Sequence, residues 1–381
     1  MALTICPPAA LAATFTPLPC LPGSNYSRAT GVSGDGSVVV GYDLSGSAAA
    51  QAWRWTRPGG IELLPVLPGG TYSEAREVSE DGSVVVGQGV NSAGATQAWR
   101  WTQAGGIEPL PFLPGDSSSY VRGVSEDGSV VVGQGVNSAG ATQVWRWTLA
   151  GGIEVLPLLP GNSSSYVSGI SGDGSVVVGY GDSYQAWRWT PASGTVDLPV
   201  LPGDSSIACF SKAFAVSGDG SVVVGCGDNY GNYQAWRWTR ASGTVALPGF
   251  SDGIYSEARG VARDGSVVVG QGIDSAGATQ AWRWTPAGGI ESVASLLGPA
   301  LPGGWSLNEA RGLSANGCII IGDGYDPKGT PRSWLVDLGV VSVPNQVVFP
   351  GLLGLGIAAW RRRRLGTLAA ARARMLIQTP L

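Results

Sequence analysis

The sequence predicts an all-β chain, a seven-bladed β-propeller closed by its own N-terminal strand, with a β-solenoid as the alternative. Three observations carry this. One unit recurs seven times, each unit has the pattern of four short strands, and the two ends of the chain are complementary parts of one unit. Self-similarity at a period of about 40–50 residues with four strands per period is the signature of a propeller blade.

The string DGSVVVG occurs six times, starting at Asp35, Asp81, Asp127, Asp173, Asp219 and Asp264, and a seventh copy reads NGCIIIG from Asn316. The steps are 46, 46, 46, 46, 45 and 52 residues. QAWRWT or a close variant follows six of the copies, with Trp pairs at 53/55, 99/101, 145/147, 187/189, 236/238 and 282/284, and the seventh decays to SWLVDL around Trp334. An L-P-x-L-P-G element or a relative ends at Gly23, Gly69, Gly115, Gly161, Gly203, Gly249 and Gly303.

Within a unit, the first strand (120–125 in the third copy) enters an Asp-Gly turn, a hairpin signal because Gly takes a positive φ at no steric cost. The second strand, SVVVG, is apolar at successive positions, as expected of a strand covered on both faces. The third, QAWRWT, alternates, with both Trp on one face and Ala and Arg on the other. The fourth (153–159) contains a Pro, which withholds a ladder donor and so belongs on an edge. The L-P-x-L-P-G element stands before the first DGSVVVG, and the last unit has no convincing fourth strand after Trp334. Seven complete units therefore require the N-terminal strand to finish the C-terminal blade. A ring closed this way needs no capping repeat, whereas an open solenoid does.

Composition agrees. The 381 residues include 60 Gly and 25 Pro, and 13% are charged, against about 25% in an ordinary soluble domain. With 44% apolar residues, 15 Trp and no Gly-X-Y period, this is a folded, turn-rich chain rather than a collagen or a linker. Histidine is absent, which excludes Ser–His and Cys–His nucleophilic sites and His-ligated metals. Residues 344–381 hold six Arg and no acid, leaving the rest with 17 basic against 27 acidic residues, a balance of −10. An acidic body is a poor binder of phosphate backbones, so nucleic acid is not expected as a partner. Five cysteines (Cys6, Cys20, Cys209, Cys226, Cys318) show no C-x-x-C spacing. Cys209 and Cys226 flank one hairpin, and either bridge in an oxidising compartment or stand as small buried thiols.

The pattern A-x-G-V-S-x-D-G-S-V-V-V-G, followed by A-W-R-W-T (Ala52 to Thr56 and its copies) and G-G-I-E-x-L, resembles the HAF-type bacterial extracellular repeat family, in which the Trp motif is often A-F-R-W-T. The likeness covers about residues 13–338. It implies an exported, repeat-built β-protein and no reaction, since the family has no assigned catalytic residues to carry over.

A second resemblance lies at the C-terminus. Val343 and Pro344, the apolar stretch 347–360 ending at Trp360, and then Arg361, Arg362, Arg363 and Arg364 resemble a PEP-CTERM sorting signal. This implies an exosortase-type processing protease as a partner and contact with the membrane before processing. Asn345 and Gln346 stand where that family has Glu-Pro, and residues 365–381 follow the Arg cluster as a basic tail of unclear meaning. On physical grounds alone, about 14 apolar or small residues are short of a comfortable membrane span and typical of a signal-type segment. Four Arg would hold their end on the cytoplasmic side. At the other end, Ala10-Leu11-Ala12 is a small-x-small cleavage site with no basic region before it. Residues 1–12 therefore read as the remnant of a secretory signal whose true start lies upstream. The domain plan is 1–12, the propeller over 13–340, the sorting segment over 341–364, and the tail.

For chemistry, the repeated Asp reads as turn formation rather than calcium binding, since each turn offers one carboxylate followed by Gly and Ser. The Trp-Arg-Trp motif reads as core packing between blades, with its Arg stacked on an adjacent ring or paired with a carboxylate. Loops on one face, carrying Tyr26, Tyr72, Tyr120, Tyr166 and Tyr255 with Asp116, Asn91 and Asn137, are the candidate ligand-binding residues, suited to carbohydrate. No pair of unique carboxylates stands out for glycoside cleavage. No catalytic residue, metal site or cofactor is expected, and the chain is read as not an enzyme. The expected function is an exported, surface-associated protein with a structural or adhesive role in the cell envelope or extracellular matrix, its partner a polysaccharide or a matrix protein. The alternative is a carbohydrate-binding propeller, and a polysaccharide-acting hydrolase comes third.

Overall fold

A computed structural model describes residues 4–5, 13–45, 49–202, 210–229, 232–249, 255–339 and 341–342. The C-terminal sorting residues Val343, Pro344, Trp360, Arg361, Arg362, Arg363 and Arg364, the basic tail, and residues 6–12 fall outside these.

Seven four-stranded antiparallel sheets follow one another along the chain. The first six span 24–63, 73–109, 116–155, 165–197, 211–246 and 256–292. The seventh is assembled from both ends. Strands Ser306–Leu313, Ile319–Tyr325 and Pro331–Asp337 are completed by Thr14–Pro17, which pairs antiparallel with the third of them, Thr14 opposite Asp337 and Pro17 opposite Trp334. The chain is a seven-bladed β-propeller closed by its N-terminal strand, and the solenoid alternative falls away. A separate two-stranded pairing joins Thr4–Ile5 to Val341–Ser342.

The second blade shows why these residues form these strands: Ser73–Val78, Val84–Val90, Thr96–Thr102 and Gly106–Pro109. Val84, Val85 and Val86 are all buried, because successive side chains meet the blades on either side. Trp99 and Trp101 pack on Val38, Val40 and Ala52 of the preceding blade, and the first Trp of every pair is buried completely or nearly so. The intervening Arg takes both expected roles. Arg54 lies 6.0 Å from the Trp101 ring centroid and pairs with Glu62 at 2.8 Å. The fourth strand is shorter than its sequence suggests. In the third blade it is Gly152–Val155, with one further bond from Leu156 N to Val144 O, and it ends before Pro157, which has no N–H to continue the ladder.

Each Asp-Gly turn is built by its own side chains. Asp35 Oδ1 accepts from Ser33 Oγ (2.8 Å) and Ser37 N (2.9 Å), and Ser33 Oγ accepts from Val38 N. Gly36 has φ +71°, the left-handed conformation that the turn requires. Between blades 6 and 7, where the repeat step lengthens to 52 residues, a short helix Val293–Leu297 is inserted. Ser292 caps it by accepting from Ser295 N, and Val293 and Leu297 are buried at i, i+4 spacing. Cys226 is a free, buried thiol 3.8 Å from Glu257 Oε1, as the small-buried-thiol reading expects; Cys209 lies outside the described residues.

Candidate functional site

The first strand of every blade faces the ring axis, and each carries a β-bulge at the same place. The register shifts fall between Ala29 and Gly31, Ala75 and Glu77, and Val121 and Gly123, with equivalents in the other four blades. A bulge leaves one residue out of the ladder and re-aims its side chain. The seven bulged residues are Thr30, Arg76, Arg122, Ser168, Phe214, Arg259 and Arg311, and all of them line an axial cavity of about 360 Å³. Four Arg are thus delivered to one place by the same backbone device.

One strand position nearer the mouth stand Arg28, Glu74, Tyr120, Tyr166, Lys212, Glu257 and Glu309, each opposite the same position of its second strand. Most of the Arg are neutralised here. Arg76 pairs with Glu74, and Arg259 with Glu257 and with Glu309 (3.4 Å). Arg311 pairs with Glu309 and Asp323, and Arg28 lies 3.6 Å from Asp323. Two cations at this end of the axis, Arg122 and Lys212, have no ion pair among the described residues. Burial, reinforced by Arg76 and only partly opposed by Tyr180, Glu74 and Tyr120, lowers the pKa of Arg122, the behaviour of a desolvated cation without a paired carboxylate. Lys212 Nζ is surrounded instead by rings, 4.6 Å from the centroid of Tyr184, 4.9 Å from Phe210 and 5.0 Å from Tyr180. The mouth therefore carries a surplus of positive charge in a body that is acidic overall.

The rings continue as an arc over blades 4 to 6. Tyr166 stacks on Tyr180 at 5.2 Å, Tyr184 lies 5.1 Å from Phe210, Phe210 meets Tyr233 edge-on at 4.8 Å, and Tyr233 is 6.0 Å from Tyr255. Arg259 stacks at 4.5 Å on Phe214, deeper in the cavity.

Deeper still, Gly31, Gly123, Gly169, Gly260 and Gly312 line the axis. Blades 2 and 5 depart from this: Ala215 takes the glycine's place in blade 5, and Glu77 takes it in blade 2, its carboxyl beside Gly31. Among the described residues, the Glu77 carboxyl accepts a single hydrogen bond, from Val78 N at 3.1 Å. Burial pushes its carboxyl up to about 8, so it keeps its proton at neutral pH. Beyond lies the far end. There Gly34 N donates to Glu80 O, Glu80 N to Glu126 O, Glu126 N to Gly172 O and Gly172 N to Gly218 O. Asp219 N then donates to Arg263 O, Arg263 N to Ala315 O and Ala315 N to Gly34 O. This circle of backbone bonds joins all seven blades.

Of the residues anticipated from sequence, the five Tyr lie at the mouth end of the first strands. Tyr26, Tyr120 and Tyr166 sit within Ser24–Val32, Asp116–Val124 and Ser165–Ile170, and Tyr72 and Tyr255 immediately precede Ser73–Val78 and Ser256–Val261. Tyr166 lines the axial cavity, and Tyr72 and Tyr120 share a neighbouring hollow of about 370 Å³. Asn91 and Asn137 do not join them. Their Oδ1 atoms accept from the backbone of their own turns, from Ala93 and Ala95 and from Ala139 and Ala141. The carboxyl of Asp116 has no hydrogen-bond partner among the described residues, and burial raises its pKa. The Arg column, Lys212, Phe210, Phe214, Tyr180, Tyr184, Tyr233 and Glu77 were not foreseen. Their signal is that this column varies from copy to copy inside a repeat that is otherwise nearly verbatim. Among the described residues, no group of three or more Cys, Asp and Glu is placed to hold a metal ion.

Solved structures share the fold. An oligogalacturonate lyase from Vibrio parahaemolyticus superposes with a TM-score of 0.57 at 10% identity, covering 88% of this chain and 98% of that one. Virginiamycin B lyase from Staphylococcus aureus gives 0.53 at 16% identity, covering 85% and 98%. The likeness is one of fold. No family model matches the chain, and no curated protein does, so the HAF-type and PEP-CTERM resemblances rest on their motifs. The reading that the chain is not an enzyme is corrected by these neighbours. It took a chain spent on building a ring as one without a reaction, and the same ring houses lyases. It also overlooked Glu77, a carboxyl that breaks the repeat and lines the axial cavity.

Proposed function

We propose that this is an exported, surface-associated propeller that holds an acidic saccharide in its axial funnel, with its place in the envelope or matrix set by that contact. The observation that carries the reading is the pair of unneutralised cations, Arg122 and Lys212, beside an arc of Tyr and Phe. Arg binds a carboxylate through two parallel hydrogen bonds. Aromatic faces cover the apolar side of a sugar ring, and a concave, low-dielectric site focuses the field of unpaired charge. One structural neighbour is named for an acidic sugar oligomer. Export rests on the sequence motifs, with an exosortase-type protease acting near Val343 and Pro344.

The test is calorimetric titration of the intact chain with oligogalacturonate and with a neutral gluco-oligomer, at low and at high salt. Saturable binding of the acidic ligand that weakens with salt, and falls about tenfold or more in Arg122→Ala and in Lys212→Met, is the expected result. Equal binding of the neutral ligand would overturn it. Export is tested by the intact mass of the protein from its native producer, which should lack the segment after about Val343.

A second reading, turnover of the bound saccharide, is favoured by Glu77, whose protonated carboxyl could donate to a leaving oxygen. Chromatography of the ligand after the titration decides it. New, shorter products that disappear in Glu77→Gln establish turnover, and an unchanged ligand leaves binding alone.

A further inference from the structure

A further cavity, of about 750 Å³, lies on the flank of the ring between blades 4 and 5. It arises from a break in the repeat. In blades 1, 2 and 3 the Arg of the third strand faces a Glu on the fourth, as Arg54–Glu62 (2.8 Å), Arg100–Glu108 (3.9 Å) and Arg146–Glu154 (3.0 Å). In blades 4 and 5 that Glu is replaced, and Arg188 stands opposite Val196 and Arg237 opposite Val245. Neither Arg has a carboxylate partner among the described residues. Burial lowers the pKa of both, and Arg240 adds to the effect at Arg188. Both Arg line the same cavity, whose remaining wall includes Trp238, Leu198 and Val222, with Val196 41% exposed. The Arg237 guanidinium also lies 6.0 Å from the Trp284 ring centroid and donates to Gly265 O at 3.4 Å, so it has no anionic partner there. The Arg188 guanidinium lies 6.0 Å from the Trp238 ring centroid. Asp197, Asp264 and Arg240 also line the space, so its Arg outnumber its acids by one.

A cleft of this size is within the range of small-ligand pockets, which are mostly apolar with a few fixed polar groups. Two desolvated cations on an apolar wall ask for the converse ligand, an anionic head on an apolar body. We infer that the cleft between blades 4 and 5 binds an amphipathic organic anion, with its carboxylate or sulfonate between Arg188 and Arg237 and its apolar body along Trp238, Val196 and Leu198. This site is separate from the axial funnel and does not depend on what the funnel binds.

The probes are octanoate and octanol, titrated into the intact chain. Val196→Glu and Val245→Glu restore the pairing that blades 1 to 3 already carry, so the double variant is expected to fold. Octanoate should bind saturably, octanol at least about tenfold more weakly, and the double variant should lose about tenfold in octanoate affinity. Arg122→Ala in the funnel should leave octanoate binding unchanged. Absence of saturable octanoate binding, equal affinity for octanol, or undiminished octanoate affinity in a folded double variant would each overturn the assignment. A loss in Arg122→Ala equal to that in the double variant would place the anion in the funnel instead, and overturn it too.

Discussion

Arg263 of the sixth blade donates to Glu80 of the second at 2.8 Å, reaching across the ring axis. The same guanidinium also holds Glu126 of the third blade, at 2.7 Å. One cation therefore ties together two carboxylates from neighbouring blades that would otherwise repel. Burial and the Glu80 carboxylate raise Glu126 to about 7, with Arg263 opposing them. The circle of backbone hydrogen bonds draws these side chains together, because the residues before the turn Asp or Asn, with Asp219 itself donating in blade 5, are pinned to their neighbours in the next blade.

Replacing Arg263 by Met should destabilise the ring in a pH-dependent way. Glu126 holds its proton longer in the folded chain than in the unfolded one, so the stability it contributes is present at low pH. That stability is lost as pH rises from about 4.5 through about 7. Without the guanidinium the two carboxylates face each other unscreened, and the loss deepens. The Arg263 side chain is 53% exposed, so the effect should be modest, about 1 kcal/mol at pH 8, vanishing near pH 4. Urea denaturation at the two pH values measures it, and a deficit larger at pH 4 would reverse the assignment.

Glu77 yields the opposite experiment, a stabilising substitution. Its carboxyl is raised by burial from an ordinary value of 4.5 to about 8. Between those values the unfolded chain releases a proton that the folded chain retains, so wild-type stability falls steadily as pH rises through that window. Glu77→Gln has no proton to release. It should match the wild type at pH 4 and exceed it by up to about 3 kcal/mol at pH 7, at about 1.4 kcal/mol per pKa unit. A variant less stable than the wild type at pH 7 would mean that Glu77 is ionised and paired in the folded chain.

Gly87 should tolerate no side chain. A Cβ there would fall inside van der Waals contact of the Glu74 carbonyl oxygen and of the Trp99 ring, which lies across the glycine. Gly87→Ala should cost about 1–3 kcal/mol by overpacking. Trp99→Ala, at a side chain buried completely, should cost about 3–5 kcal/mol. In the double variant the Ala methyl group no longer meets the ring, so its loss should be smaller than the sum. Strict additivity in thermal unfolding would show that the two do not share the contact.

That pair also marks what was and was not legible in the sequence. Asp-Gly turns and the alternation of A-W-R-W-T each state a local geometry, and sevenfold repetition raised them to a fold, while the packing of Gly87 under Trp99 showed only in the structure. The displaced L-P-x-L-P-G element revealed the closure. The funnel stayed hidden for the same reason. Arg76, Arg122, Arg259 and Arg311 occupy a bulge, and a bulge inserts one residue that period-two reasoning cannot place on either face. Aromatic residues were recognised by type and assigned to loops, although Tyr26, Tyr120 and Tyr166 stand within the inner strands. Lys212 drew no notice because its cage comes from three different strands and turns. The helix Val293–Leu297 was signalled only by the 52-residue step.

Asp43 offers a test of the closure itself. In other blades its position is Gly, as at Gly89 and Gly135, and the indole N–H of Trp99 and Trp145 has no hydrogen-bond partner among the described residues. In blade 1, Asp43 Oδ1 accepts from Trp53 Nε1 and its Oδ2 from Leu21 N, both at 2.6 Å. Leu21 lies four residues beyond Pro17, the end of the strand that completes blade 7, so this carboxylate clips the chain leaving the closing strand to the first blade. Asp43→Ala would leave two buried donors without an acceptor, at a cost of about 1–3 kcal/mol for each. Hydrogen exchange should localise the damage, with protection falling over Thr14–Pro17 and its partner Pro331–Asp337 before the blades between them. Uniform loss around the ring would show that closure and blade packing unfold as one unit, and that Asp43 has no special hold on the seam.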